Sequence, residues 1–513
     1  MFCTVKTAAL NGLESCIISV EVCMVSGMPC FEMVGSLGGE VKEAKERVKA
    51  ALFNSGITIP AKRITVNLAP ADVHKVGSGY DLPIAVGILV VLGKIVSKKI
   101  ENTIFIGELG LNGELKAVKG ILPMLLELRG QGYNKFVIPK ANVEEIKIVS
   151  DCEILGFKNL MDLIFYYEDE EFLKGDESIF VKTLEYESYV KNEAEWEVDF
   201  EDIIGQESVK NALEIAAAGF HNILMIGPPG SGKSMMAKRI PTILPTISVD
   251  ECIEVSKIYS VSGLLNEDKP LITSRPFLNP HHTISQQALA GGGRIPKPGV
   301  VSLAHKGVLF LDEFPEFKRN VLEILRQPME DKQIHIARTY GGFTFPAEFM
   351  LVAAMNPCPC GYYPNMNKCT CKDGDIKKYL GKISGPLLDR IDLCVSANAI
   401  TVKDIAQKKS ARSSKDMRNR VMEARYIQND RYKNADIIFN AQLKVNQLEK
   451  YCLLKKDEKD YIENIFDKLQ LSARAYHRII KVARTIADLE GAENISCEHL
   501  TQAICYRMDD KYI

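Results

Sequence analysis

The residues with the plainest chemistry are Gly227-Pro228-Pro229-Gly230-Ser231-Gly232-Lys233-Ser234. They fill the whole of the G-x-x-x-x-G-K-[ST] pattern. Ile223-Leu224-Met225-Ile226 ahead of them reads as an apolar strand, and Met235 to Ile240 behind them can open a helix. A phosphate cradle needs that order. Glycines let main-chain N–H groups turn toward phosphate oxygens, and a helix start adds partial positive charge. Lys233 is suited to reach the β- and γ-phosphates of ATP, and Ser234 to hold Mg2+. A Gly-rich turn matching by chance would not bring the flanking strand and helix with it.

Two more groups of residues carry chemistry. Gly307-Val308-Leu309-Phe310-Leu311-Asp312-Glu313 reads as a buried strand ending in two carboxylates. Asp312 suits the Mg2+ shell, and Glu313 suits a general base that polarises the attacking water. A solvated acidic strand end is the plainer alternative, but four apolar residues precede the pair. Cys358, Cys360, Cys369 and Cys371 form two C-x-C pairs within fourteen residues. Four reduced thiols so close suit a structural, tetrahedral Zn2+ site. The C-x-C spacing is tighter than the commoner C-x-x-C, so a loop of free thiols stays open as the alternative. No histidine lies nearby to make a thiol catalytic.

These groups need a scaffold. The chain has 513 residues, enough for about three domains at roughly 150 residues each. It is 46% hydrophobic and 25% charged with a net charge of −2, the balance of an ordinary globular protein. A net charge near zero excludes a basic, non-specific nucleic-acid binder; any DNA contact must come from local loops. The start, Met1-Phe2-Cys3-Thr4-Val5-Lys6, has no signal-peptide pattern. The longest apolar run, Leu82 to Leu92, is too short to cross a bilayer and reads as a buried helix. Fourteen cysteines without an export signal point to reduced thiols and a cytoplasmic location.

Residues 1–165 read as an α/β domain, with strands at Arg63–Leu68 and Thr103–Gly107 and a helix at Val41–Asn54 stopped near Gly56. Residues 166–197 are acidic and read as a solvated linker. Residues 198–397 hold the nucleotide chemistry as a P-loop α/β domain. Residues 398–513 read as a helical lid, with Ala475, Ile479, Val482, Ile486 and Leu489 at helical spacing. Ile334 to Arg338 and Phe343 to Pro346 read as the strands of a hairpin.

Longer motifs support a resemblance. They are Leu278-Asn279-Pro280-His281-His282-Thr283-Ile284-Ser285, Gly291-Gly292-Gly293, and Pro298-Gly299-Val300-Val301-Ser302-Leu303-Ala304-His305. Leu351 to Gly361, Ser384-Gly385-Pro386-Leu387-Leu388-Asp389-Arg390-Ile391-Asp392 and Leu471-Ser472-Ala473-Arg474 complete the set. On these the chain resembles the AAA+ superfamily and, more narrowly, the ComM/YifB family of magnesium-chelatase-like ATPases, over essentially its whole length. The resemblance implies an N-terminal Lon-protease-like α/β domain, an AAA+ core with a parallel sheet between helices, and the helical lid.

It also implies residue roles. Asn356 matches sensor 1, where an amide orients water at the γ-phosphate, with an Asn-Pro turn as the alternative. Arg390 matches the arginine finger that a neighbouring subunit inserts; its alternative is a surface ion pair with Asp389 or Asp392. Arg474 matches sensor 2, with Arg478 and Lys481 on the same helix face. Ile203-Ile204-Gly205-Gln206 matches the adenine-flanking segment. A finger supplied in trans requires an oligomer, and the family implies a homo-hexameric ring. In this branch the hairpin points into the ring pore, where Arg338, Tyr340 and Phe343 would meet DNA by phosphate contact and stacking, with a hairpin packed on its own core as the alternative. A second loop, Pro276 to Pro298, adds Arg294 and Lys297; His281 and His282 alone make a poor metal pair. The basic stretch Lys408 to Arg431 is either a DNA surface or a solvated helix face.

A Lon-like domain raises a Ser–Lys protease. The matching segment is Lys75-Val76-Gly77-Ser78-Gly79-Tyr80-Asp81, but the nucleophile position falls on Gly79 or Tyr80 and the lysine position near Leu122, with Lys116 and Lys119 close. The dyad is therefore expected to be absent. The resemblance implies a helicase that promotes branch migration of incoming DNA during natural transformation, with other recombination proteins as partners. A chelatase subunit lacks the Lon-like domain, and a protein remodeller would use the same ring on polypeptide.

Overall fold

The computed structural model describes residues 1–168, 179–184, 197–338, 341–365, 367–399, 412–435 and 437–507. Residues 169–178 and 185–196 of the acidic linker fall outside the described residues, as do Tyr340 and Lys408 to Ala411.

The first sheet has seven strands: β1 (Phe2–Asn11), β2 (Glu14–Val25), β3 (Cys30–Val34), β4 (Arg63–Ala69), β5 (Thr103–Phe105), β6 (Lys135–Pro139) and β7 (Glu153–Phe157), in the order β3-β4-β2-β1-β5-β6-β7. Its central strands alternate as a two-faced sheet requires: Ile18, Val20, Val22 and Met24 of β2 and Ile64, Val66 and Leu68 of β4 are all buried. Against that face pack α1 (Gly39–Asn54) and α2 (Asp81–Val91). The five apolar positions expected to face the core, Val41, Ala44, Val48, Ala51 and Leu52, are the buried residues of α1. The apolar run from Leu82 is α2, buried on nearly every side. The opposite face is covered by α3 (Ile121–Gly130) and by a helix from the next layer, α5 (Val249–Ser262).

The second sheet has five parallel strands: β8 (Ile223–Ile226), β9 (Phe277–Leu278), β10 (Val308–Leu311), β13 (Met350–Met355) and β14 (Leu393–Ser396), ordered β9-β10-β13-β8-β14. The hairpin β11 (Gln333–Arg338) and β12 (Gly341–Pro346) precedes β13, with Ile334 opposite Phe345 and Arg338 opposite Gly341. The sheet's strands are apolar without alternation because both faces are covered. Ile223 and Met225 enter one core while Leu224 and Ile226 enter the other; Val308 and Phe310 against Leu309 and Leu311 divide the same way.

The first of those cores includes α4 (Glu207–Gly219) and continues without a break into the C-terminal helices. These are α6 (Ser414–Arg431), α7 (Lys456–Lys468), α8 (Ala473–Leu489) and α9 (Cys497–Cys505). Ile479, Val482 and Ile486 of α8 are buried, as their spacing predicts. Among the described residues no helix is long and apolar enough to cross a membrane.

The first two layers are joined by a buried polar contact. Ser260 of α5 donates to the Glu145 carboxylate at 2.9 Å, Asn142 donates to it at 2.6 Å, and Gly120 N–H donates to Ser260 O at 3.0 Å. Burial pushes the Glu145 carboxyl up to about 7, against the pull of those two donors. Between about 4.5 and 7 the unfolded chain ionises this group while the folded chain keeps its proton, so its contribution to stability falls as pH rises. Glu145→Gln, which keeps an acceptor and cannot ionise, should be more stable than the parent at pH 8, on the order of 2 kcal/mol. Melting curves should show the difference closing toward pH 4.5; a constant difference across that range would refute the assignment.

Candidate active site

Chemistry in a parallel sheet gathers where strands end, because only there do polar side chains escape the two covering layers. The carboxyl ends of β8, β10 and β13 carry the Gly227–Ser234 loop, Asp312 with Glu313, and Asn356. The loop turns through Gly230 at φ 76° and Gly232 at φ 83°, a left-handed backbone that favours glycine. A short helix, Lys233–Ala237, follows, then a second at Ile240–Ile243.

Lys233 Nζ sits at the centre of this group. It lies 2.7 Å from Gly227 O, 3.0 Å from Pro228 O, and 3.3 Å from both Ser231 Oγ and Asn356 Oδ1. Burial holds its pKa below the ordinary lysine value, against the attraction of Asp312. Ser234 Oγ donates to Asp312 Oδ2 at 2.5 Å. An alcohol and a carboxylate that close, at a strand end, are the oxygen donors a hydrated Mg2+ takes. Glu313 follows with φ 51° and an exposed side chain, and its Oε2 is 3.5 Å from His282 Nδ1. His282 also lies against His281, with ring centroids 4.1 Å apart and the rings tilted by 35°.

Gln206 emerges as a further residue of the loop's surroundings. Its Nε2 donates to Ser231 O at 3.3 Å and to Asn398 O at 2.6 Å, while its Oε1 accepts from Asn398 N–H at 3.1 Å. The sequence marked its segment but not this tie. Within that segment Ile203 is buried and Ile204 exposed, so Ile204 is not core.

Arg390 and Arg474 do not join this cluster. Both pair with Glu330: Arg390 Nη2 directly, and Arg474 Nη2 at 3.8 Å. Neither Asp389 nor Asp392 is Arg390's partner. Arg478 takes Asp389 at 3.6 Å and donates to Ile391 O at 2.6 Å, and Lys481 donates to Ala441 O at 3.0 Å. Both are largely buried, whereas the Arg474 side chain is 64% exposed, which separates it from its two neighbours on the helix face.

The four cysteines come together. Cys358 Sγ is 3.4 Å from Cys360 Sγ and 3.8 Å from Cys369 Sγ, and all four sulfurs lie within 4.8 Å of one another. A tetrahedral zinc with bonds of about 2.3 Å needs sulfurs about 3.8 Å apart, so the donors and their spacing fit that ion. Backbone N–H groups of Tyr362 and then Thr370 pull the Cys360 thiol down to about 6.

The end of β11 touches the loop at Gly291–Gly293, where Arg338 Nε donates to Gly293 O at 3.2 Å. Arg338, Arg294, Lys297 and Phe343 line a cavity of about 810 Å³ together with Glu14 of β2, Glu40 of α1 and Glu108. Phe343 is half-buried and packs in the same cluster as Leu13. In the segment Lys75–Asp81, the Ser78 hydroxyl meets Glu108, while buried Lys75 points at Pro70 O; Lys119 lies over Gly263. Tyr80 and Leu122 are buried. Several described arginines of the basic stretch are engaged within the fold. Arg412 and Arg420 pair with Glu214 at 3.2 Å, Arg425 is buried against Phe439, and Arg431 pairs with Asp488.

Five parallel strands with a phosphate loop, an acidic strand end and a polar strand end beside it define a AAA+ ATPase. Family models agree: residues 20–142 match "Subunit ChlI of Mg-chelatase", 199–405 "Magnesium chelatase, subunit ChlI", and 411–507 its C-terminal part. The chain is 42% identical over 506 residues to the competence protein ComM of Haemophilus influenzae, covering 98% of this chain and 97% of that one. It is 40% identical over 513 residues to the YifB protein of Salmonella typhimurium, covering 99% and 97%. The magnesium-chelatase 38 kDa subunit of Rhodobacter capsulatus is 22% identical over 332 residues, 60% of this chain and 87% of that one. The chain belongs to the ComM/YifB family of magnesium-chelatase-like AAA+ ATPases.

Losing the Gln206 tie should loosen the loop without touching the hydrolytic groups. Gln206→Ala is expected to raise the KM for ATP roughly fivefold, the equivalent of about 1 kcal/mol of hydrogen bonding, with kcat nearly unchanged. An unchanged KM would show that the tie is incidental.

Proposed function

We propose that the chain is a subunit of a cytoplasmic homo-hexameric ring that couples ATP hydrolysis to movement on DNA. Its parts are a Lon-like cap (1–165), the linker (166–197), the motor core (198–397) and the lid (398–513). Lys233 and the loop amides hold the β- and γ-phosphates. Ser234 and Asp312 hold Mg2+, which neutralises developing phosphate charge when bound. Glu313 takes a proton from the attacking water, and Asn356 orients that water.

The observation that carries the reading is the meeting of Arg390 and Arg474 at Glu330. Among the described residues neither contacts the phosphate loop of its own chain, which supports service to a neighbour's in exchange for Glu330. The contact between the two insertions supports a joint polyanion surface, since it sets Arg294, Lys297 and Arg338 side by side. Ser78, facing a carboxylate rather than a lysine, supports a cap without protease activity. The cysteine group is read as a structural zinc site.

ATP turnover should be measured with no DNA, single strands, duplex and a four-way junction. Several-fold stimulation that favours the junction is expected, and Glu313→Gln should lower turnover by at least about 100-fold while nucleotide still binds. Brisk turnover indifferent to every DNA would transfer the assignment to protein remodelling. Arg390→Ala and Glu313→Gln should each be inactive alone. Mixed together they should recover part of the turnover, because some interfaces then pair an intact base with an intact arginine; no recovery would argue against completion in trans.

A further inference from the structure

The cysteine loop is not a remote ornament of the ATP site. β13 ends at Met355; Asn356, Pro357 and Cys358 follow without a break. The amide that meets Lys233 at 3.3 Å is therefore two residues from the first thiol. Gly227 N–H donates to Met355 O at 3.2 Å, which joins the phosphate loop to the same strand end. Just past the first thiol pair, Gly361 is buried against the loop: a Cβ there would lie 2.3 Å from Pro229 Cδ and 2.8 Å from its Cγ. Gly361, at φ 86°, is the one residue type that permits this approach. The first thiol pair is thus flanked on both sides by residues that meet the phosphate loop.

Among its described residues Pro357, Cys358 and Gly361 are buried, Cys360, Tyr363, Cys369 and Cys371 are half-buried against the same core, and Tyr362, Asn365 and Lys368 are exposed. With so much of its length in solvent, the loop loses backbone entropy when it is ordered. Four thiolates on one ion close it in two places, and metal binding of this kind is itself ordering free energy.

We propose that the Cys358, Cys360, Cys369, Cys371 centre, by holding a zinc ion, braces Pro229 and Asn356, so that metal occupancy sets the affinity of this chain for ATP. The proposal rests on the zinc reading above and adds to it a task. The ion takes no part in hydrolysis; it fixes the wall against which the phosphate loop closes.

The test uses the full chain. Zinc content is measured by plasma emission after dialysis, and the affinity for a fluorescent ATP analogue is measured before and after stripping with a thiol-directed mercurial and a chelator. About one zinc per chain is expected. Stripping, or the Cys369→Ser/Cys371→Ser double variant, should weaken nucleotide binding at least about tenfold, and zinc returned to the stripped protein should restore it. Gly361→Ala decides the matter if stripped protein unfolds, because it leaves all four thiols in place. It should keep its zinc and still bind nucleotide several-fold more weakly. Zinc present in a Gly361→Ala variant of normal affinity would overturn the brace and leave the zinc site standing. Chain without zinc, with unchanged binding in the cysteine variant, would remove both.

Discussion

A triphosphate carries more negative charge than any single side chain can offset, so a protein that grips one must bring several positive and dipolar groups to one point. The second sheet does this with geometry. Of three parallel strands, β8 and β13 end level, with Ile226 opposite Met355, and β10 ends two residues short, with Leu311 opposite Ala353. The strands are apolar throughout because both faces are sealed by apolar layers. Move one strand by a residue and Lys233, Asp312 and Asn356 no longer meet.

The sealing layers are also what binds the molecule into one body. One core runs from the sheet through α4 into α6 and α8, so the lid helices share their interior with the nucleotide-binding layer. A different core joins α3 of the first sheet to α5 of the second layer, with Ile247, Cys252, Val255 and Leu271 on one side and Ile121 and Leu125 on the other. Sequence boundaries drawn from composition divide the chain where its character changes, but hydrophobic burial does not respect them.

The sequence disclosed what is local. The phosphate loop, the acidic strand end, the cysteine pairs and the faces of α1 and α8 are set by residues near one another in the chain, and each was legible from type and spacing. The family resemblance extended this to Asn356. Partners far apart in sequence were not legible. Glu330 as the meeting point of Arg390 and Arg474, Gln206 tied to Asn398, and Gly361 against Pro229 depend on how the layers stack. The basic stretch shows the same effect in reverse. Its arginines read as a charged surface, yet Glu214 and Asp488, contributed by other helices, take up Arg412, Arg420 and Arg431.

Glu330 has one more implication. It is an anion already seated between two arginines that, on the function proposed, must later face a neighbour's phosphates. A subunit entering the ring therefore does not gain two ion pairs from nothing. It trades a carboxylate for a phosphate, and the strength of the interface is the difference between the two anions. Such an exchange makes assembly responsive to which nucleotide the neighbour holds. A diphosphate, with less charge to offer in return, leaves Glu330 the better partner and the subunit closer to standing alone.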